Sequence, residues 1–289
     1  MLSNTFKKVA LFGLGCSLVL ASCSEDKTEE GVAVTETAAD LEVSQAILDQ
    51  VETLGMNTRY VKWDSFFFPD GTSEMRLFLE DDIVVTPEEL TAMVNLESAE
   101  KGAKGTDKQY RTSALVSQGR TITIVGYTGG SQALSSKERT ALQMAVDNYN
   151  NLSGVSITFN LTFGTSYQSR DMVVYNNTVN NPSGTGGSAG FPSNGLPYKY
   201  VQIYGLANYS TDVVEHVLTH EIGHSVGFRH TDWFSRQSCG DNVNEGGDAN
   251  HISGTPTGYD ATSIMLSCFS SNASGEFNAN DITALNNMY

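Results

Sequence analysis

After residue 22 the chain contains no hydrophobic run long enough to cross a bilayer, so no membrane-spanning helix is expected. Basic residues are scarce as well. Lys and Arg together number 17 against 33 Asp and Glu, a formal charge of -16. A protein that grips phosphate needs the opposite balance, so the charge argues against nucleic acid as a partner. The deficit is uneven: residues 24–110 hold 20 acidic and 7 basic residues, residues 111–289 hold 13 and 8. The acidity is therefore mostly a property of the leading segment. There is no internal repeat. Cysteine is limited to 4 residues and histidine to 5, yet three of the histidines crowd between positions 220 and 230.

Residues 1–22 have the layout of a secretory signal peptide. Lys7 and Lys8 precede "VALFGLGCSLVLAS", an apolar stretch too short to span a bilayer comfortably. It closes on "LASC", which resembles a bacterial lipobox with Cys23 as the lipidated first residue of the mature protein. An ordinary signal peptide ending at a chance cysteine is the alternative. The expected location is that of an exported bacterial lipoprotein at the outer membrane or cell surface, touching the membrane only through its N-terminal lipid. Cys16 leaves with the signal, and Cys239 and Cys268 remain as an even pair in an oxidising compartment. A disulfide between them is expected; two buried free thiols are the alternative.

The expected organisation is a signal peptide (1–22), an acidic spacer (23–40), an accessory domain or propeptide (41–110) and a catalytic domain (111–289). "SEDKTEE" reads as solvated spacer. "ETAADLEVSQAILDQVETLG" has helical periodicity, "MRLFLEDDIVV" reads as a long strand or strand pair, and "TPEELTAMV" as a helix start with Thr cap and early acids. "EKGAKGTDKQYR" reads as an exposed hinge open to proteolysis. In the body, "RTITIVGY", "VSITFNLTF", "DMVVYN" and "YKYVQIY" read as strands. "SSKERTALQMAVDNYNNL" and "STDVVEHVLTHEIGHSVGF" read as capped helices, and "FNANDITALNNMY" as a final one. About 60 residues before that last helix show little regular pattern. The sum is an α+β body: a twisted mixed sheet flanked by helices above an irregular lower part.

"HEIGHSVGFRH" carries the chemistry. His220 and His224 lie four apart, on one face of a helix, and can grip one ion. His230 would be carried roughly 9 Å further along a straight helix, so the chain must turn back, and Gly227 is the residue able to end the helix left-handed. Three imidazoles leave a fourth position open, which suits one catalytic zinc rather than a structural one. Glu221 is placed to take a proton from a metal-bound water. H-E-x-x-H alone is weakly specific. The full H-E-x-x-H-x-x-G-x-x-H arises by chance on the order of 10⁻⁵ in a chain this long. It is the metzincin signature, which requires a downstream methionine turn, and "TSIMLSC" supplies Met265.

The body thus resembles metzincin zinc endopeptidases. More narrowly, "THEIGHSVGFRHTD", "NEGG" and "HISGTPTGYDATSIM" resemble the bacterial dual-action HEIGH metallo-peptidase family, densely from Thr219 to Cys268. The resemblance implies His220, His224 and His230 as zinc ligands, Glu221 as general base and Met265 in the methionine turn. It implies a metzincin-like, mostly parallel five-stranded sheet with a zinc cleft and a C-terminal helix. It also implies hydrolysis of an extended peptide or protein, laid along the edge strand from Gly187 to Phe191 by β-augmentation. Ser267 stands where astacins carry a tyrosine ligand, so no such ligand is assigned. The enzyme is expected to act as a monomer. A surface-anchored zinc-containing adhesion protein without turnover is the alternative, and the intact Glu221 argues against it.

Other residues keep two readings. His216 is read as a helix-surface histidine rather than a fourth ligand, and His251 as a loop residue rather than part of the cleft. Asp232 is either an anchor behind a ligand or an exposed loop acid. "CGDNVNEGGDAN" is either a structural calcium site or a polar loop. In the acidic segment, Asp81 or Asp82 could take the fourth zinc position and hold the enzyme latent until cleavage at the hinge; Asp82 is favoured. A solvated accessory segment is the alternative.

Overall fold

The central strands are apolar on both faces, as sheets covered by helices on one side and by further chain on the other must be. The computed structural model describes residues 41–100, 110–242, 250–256 and 258–289. Five strands form the main sheet: β5 (Thr121–Tyr127), β6 (Thr158–Gly164), β7 (Met172–Asn176), β8 (Gly186–Ser188) and β9 (Tyr200–Tyr204), in the order β6-β5-β7-β9-β8. All neighbours are parallel except the β8–β9 pair. The mixed, mostly parallel five-stranded sheet expected of the body is present.

Two helices cover one face. Helix α3 (Ser136–Asn150) starts at a capping box between Ser135 and Glu138 and buries Ala141, Leu142, Ala145, Val146 and Tyr149. Helix α4 (Thr211–Ser225) starts where the Ser210 hydroxyl accepts from the Val213 N–H. Its whole length from Val213 is buried. The C-terminal helix α5 (Ala279–Met288) begins at an Asn278–Asp281 capping box and sends Leu285 and Met288 into the same core. Between α4 and α5 only one short strand, β10 (Asn250–His251), forms among the described residues; it pairs with β4 (Tyr110–Arg111).

The leading segment is richer than its sequence suggested. Helix α1 (Gln45–Thr53) begins at the Ser44 cap, later than the periodicity implied, because Ser44 Oγ takes the Ile47 N–H. Strands β1 (Val61–Phe67), β2 (Ser73–Leu79) and β3 (Ile83–Val85) form an antiparallel sheet, and helix α2 (Pro87–Glu100) follows. β1 was not expected; its period is obscured because both its faces are partly covered. Leu77, Leu79, Ile83, Val85 and Leu90 share a small core with Phe191 of the body. At the outer edge of the main sheet, Ala189 donates to Asp82 O at 3.0 Å and accepts from Val84 N at 2.7 Å. The leading segment therefore lies along the edge strand. Residues 101–109 of the expected hinge, and the signal peptide and spacer to residue 40, fall outside the described residues.

Candidate metal centre

Helix α4 brings His220 and His224 to one face and ends at Ser225. Gly227 then adopts φ 110°, while Gly227 N bonds His224 O and Phe228 N bonds Gly223 O, both at 2.9 Å. The chain reverses, and Arg229 N reaches Tyr110 O at 2.9 Å. The next residue, His230, is thereby returned to the other two histidines. The three rings lie 4.6, 4.8 and 5.2 Å apart, centre to centre.

Each ring is fixed through its inner nitrogen. His220 Nδ1 donates to Ile264 O and His224 Nδ1 to Phe228 O, both at 2.8 Å. His230 Nδ1 donates to Glu80 Oε2 at 2.9 Å. All three Nε2 atoms are left facing one point, with His224 and His230 Nε2 3.2 Å apart. Asp82 Oδ2 sits at the same point, 2.9, 3.4 and 3.9 Å from the Nε2 atoms of His230, His220 and His224. The four ligand atoms lie within 4.8 Å of one another. A tetrahedral zinc with bonds of about 2.0–2.1 Å sets its ligand atoms about 3.3 Å apart. The donor set and spacing fit that ion. With the Nδ1 protons engaged in hydrogen bonds, neutral rings would aim their Nε2 lone pairs at one point, the arrangement that a bound cation would satisfy.

The electrostatics follow from burial and crowding. Burial pushes Glu221 well up, and the neighbouring Asp82 charge adds to it. Burial opposes ionisation of Asp82 too, but the three histidines hold its carboxyl well below the usual range. Burial lowers His220 to about 4 against the pull of Asp82. His230 is pushed the other way, to about 10: burial would lower it, and the Asp82 and Glu80 carboxylates outweigh that. Glu221 Oε2 and Asp82 Oδ1 are buried without partners.

Below the rings, buried Met265 packs under Gly223, and its carbonyl accepts from Thr231 N at 2.8 Å. Asp232 is buried rather than in an exposed loop. It accepts from Ser267 N and Oγ and from Ser238 N, each at 2.9 Å, tying the segment after Met265 to the turn before Cys239. Cys239 and Cys268 are joined by a disulfide. A cavity of about 240 Å³ opens beside Glu221, lined by Gly186, Gly187, Tyr204, His216 and Phe269. A Cβ at Gly187 would fall 2.6 Å from the Glu221 side chain, so the edge strand approaches that closely only as glycine.

Some residues stand elsewhere than expected. His216 is not on the helix surface: it is buried and holds Ser274 O at 2.7 Å, because the irregular lower part folds over that face. His251 is in β10, bonded to Thr255 Oγ1 at 2.8 Å. Asp81 turns away from the centre, half-exposed, onto Arg236 at 2.7 Å. Residues 243–249 of the stretch weighed for calcium lie outside the described residues, and no calcium site is shown. Glu80, Arg229 and Arg236 were missed as parts of the centre. Glu80 sat in an acid run that reads as solvated turn; the signal against that reading was the apolar run leading into it.

A search of the curated proteins finds no match. Two solved structures of myroilysin are similar. One is 15% identical with a TM-score of 0.39, over 61% of this chain and 82% of that one. The other is 16% identical with a TM-score of 0.34, over 58% and 82%. Residues 77–289 match the model of a family described as dual-action HEIGH metallo-peptidase, a span that includes the turn bearing Glu80 and Asp82. Membership implies zinc metallopeptidase activity on peptide or protein substrates. The three convergent histidines and the match over most of its length place this chain in the dual-action HEIGH metallo-peptidase family.

Proposed function

We propose that the protein is a single-zinc endopeptidase of metzincin type, held latent by its own leading segment. The observation that carries this reading is the convergence of three Nε2 atoms whose partner nitrogens are all engaged. His220, His224 and His230 are the metal ligands. When bound, zinc supplies a Lewis acid for the scissile carbonyl and lowers the pKa of a water. Glu221 is the general base. It takes the proton of the attacking water and delivers it to the leaving amine nitrogen. Its burial at the edge of the cavity, with one carboxylate oxygen unpartnered, supports that role. No acyl-enzyme is formed, since no side-chain nucleophile is involved. The substrate strand lies along Gly187 to Phe191.

Two features of the leading segment support latency. Asp82 Oδ2 converges with the three Nε2 atoms and would take the fourth position on a bound zinc, where the attacking water would otherwise sit. The same segment takes the backbone N–H and C=O of Ala189, which an extended substrate would otherwise use. Activation is cleavage in the stretch 100–111 followed by release. Export and anchoring through Cys23 complete the reading and rest on the sequence alone.

The test keeps the full chain and changes one residue. Asp82→Ala frees the metal position but leaves the segment on the edge strand. Hydrolysis of a short peptide should rise, stay chelator-sensitive, and exceed that of a long substrate relative to the cleaved enzyme. No gain over the parent on either substrate would refute latency through Asp82. Chelator-resistant cutting would refute the zinc mechanism.

A further inference from the structure

The three histidines differ in what holds their inner nitrogens. His220 and His224 donate to backbone carbonyls of the body itself. His230 donates to a carboxylate, Glu80, that belongs to the leading segment. Glu80 is almost fully buried, and its other oxygen accepts from Asn57 N at 3.2 Å, so the side chain is held at both ends. It sits two residues from Asp82. The two carboxylates grip opposite nitrogens of one ring, each at 2.9 Å.

The turn that presents them is strained and clamped. Glu80 and Asp81 both have left-handed backbones, at φ 51° and 78°. Such conformations persist in non-glycine residues only where surroundings impose them. Arg236 donates to Glu80 O at 3.1 Å and to Asp81 Oδ2 at 2.7 Å. Arg229, next to His230 in the chain, donates to Leu54 O and Gly55 O, both at 2.8 Å. Both guanidiniums are buried, and the leading segment supplies the acceptors named.

We infer that Glu80 is a positioning residue of the metal centre, so that the segment which blocks the site with Asp82 also completes it with Glu80. This rests on His230 being a metal ligand. A histidine that donates its Nδ1–H to a carboxylate is held in one tautomer and orientation and is a more basic ligand than one on a carbonyl. Glu80 gives this to the one histidine that lies outside helix α4. The segment is therefore an assembly element as well as a plug. Zinc is held more weakly once it leaves.

The test is zinc affinity by chelator competition, with the d–d spectrum of the cobalt-substituted protein, in the full chain carrying Asp82→Ala. Adding Glu80→Ala should weaken zinc binding about 10–100-fold and shift the cobalt bands. Glu80→Gln keeps an acceptor oxygen at the same reach without the charge and should fall between. Leu90→Ala removes a buried side chain from the same segment away from His230. It should lower the melting temperature yet leave affinity and spectrum unchanged. Affinity within twofold of the Asp82→Ala parent in both Glu80 variants would overturn the inference. So would an equal loss in Leu90→Ala, which would reduce Glu80 to a fold contact. Failure of the underlying reading looks different: the Asp82→Ala parent itself would bind no zinc, or would bind it equally well after His230→Ala.

Discussion

Gly227→Ala should cost both the fold and the metal. Gly227 sits at φ 110°, outside the regions open to residues with a side chain. Forcing alanine there costs about 1–3 kcal/mol in backbone strain. Its Cβ would also meet Leu115 Cδ2 at 2.7 Å and Thr112 Oγ1 at 3.2 Å. That crowding adds about 1–3 kcal/mol, because packed neighbours must move. The total is about 2–6 kcal/mol. Relief by opening the turn would break the bond from Thr112 N to Gly227 O and swing His230 away from the other histidines. Urea denaturation and zinc competition on the same sample should therefore both respond. Gly71→Ala is the control. Gly71 has φ 85° but nothing within 4 Å of its Cβ position, so it should lose only the strain and keep full zinc affinity. If Gly227→Ala costs no more than Gly71→Ala and leaves zinc affinity intact, the glycine is not what returns His230 to the site.

Away from the metal, Glu215 gives a pH signature. Burial first, then the charges of Glu276 and Asp212, raise its carboxyl to about 7 against an ordinary 4.5, and the hydrogen bond from Asn148 opposes them. A raised acid pKa means the folded state binds the proton more tightly. Its contribution to stability is thus fully present below about pH 4.5 and is lost as pH rises toward 7. The loss is on the order of 3 kcal/mol. Glu215→Gln should flatten that part of the pH profile and raise the melting temperature at pH 8; an unchanged profile would refute the assignment. The Cys239–Cys268 bridge closes a loop of 29 residues. Reduction should cost about 3–4 kcal/mol on the chain-entropy model. Thiol titration of the unreduced mature chain should find neither cysteine free, and two free thiols would contradict the bridge.

The sequence carried the centre of this site more fully than its surroundings. Spacing alone placed His220 and His224 on one face, and Gly227 announced the reversal that returns His230. These are local rules of backbone geometry, legible within a dozen residues. The main strands β5, β7 and β9 were equally legible, as apolar runs between turn signals. What failed was long-range. His216 looked like a surface histidine because nothing local told that Ser274 would fold over it. β1 escaped because its pairing with β2, not its own alternation, defines it. Glu80 escaped for the same reason. It lies 150 residues from His230, in an acid run whose composition says solvent, and only tertiary packing makes it a partner of a buried ring.

The central claim is that three histidines hold a zinc and Glu221 moves the proton. The most direct measurement compares full chains carrying Asp82→Ala with and without Glu221→Ala, for zinc content and for peptide hydrolysis on one preparation. The account predicts equal zinc in both, because Glu221 is not among the four converging groups. It predicts that kcat falls about 10²–10⁴-fold when Glu221 is lost. Zinc lost together with Glu221 would make that residue a ligand. Hydrolysis retained in its absence would mean that another group is the base.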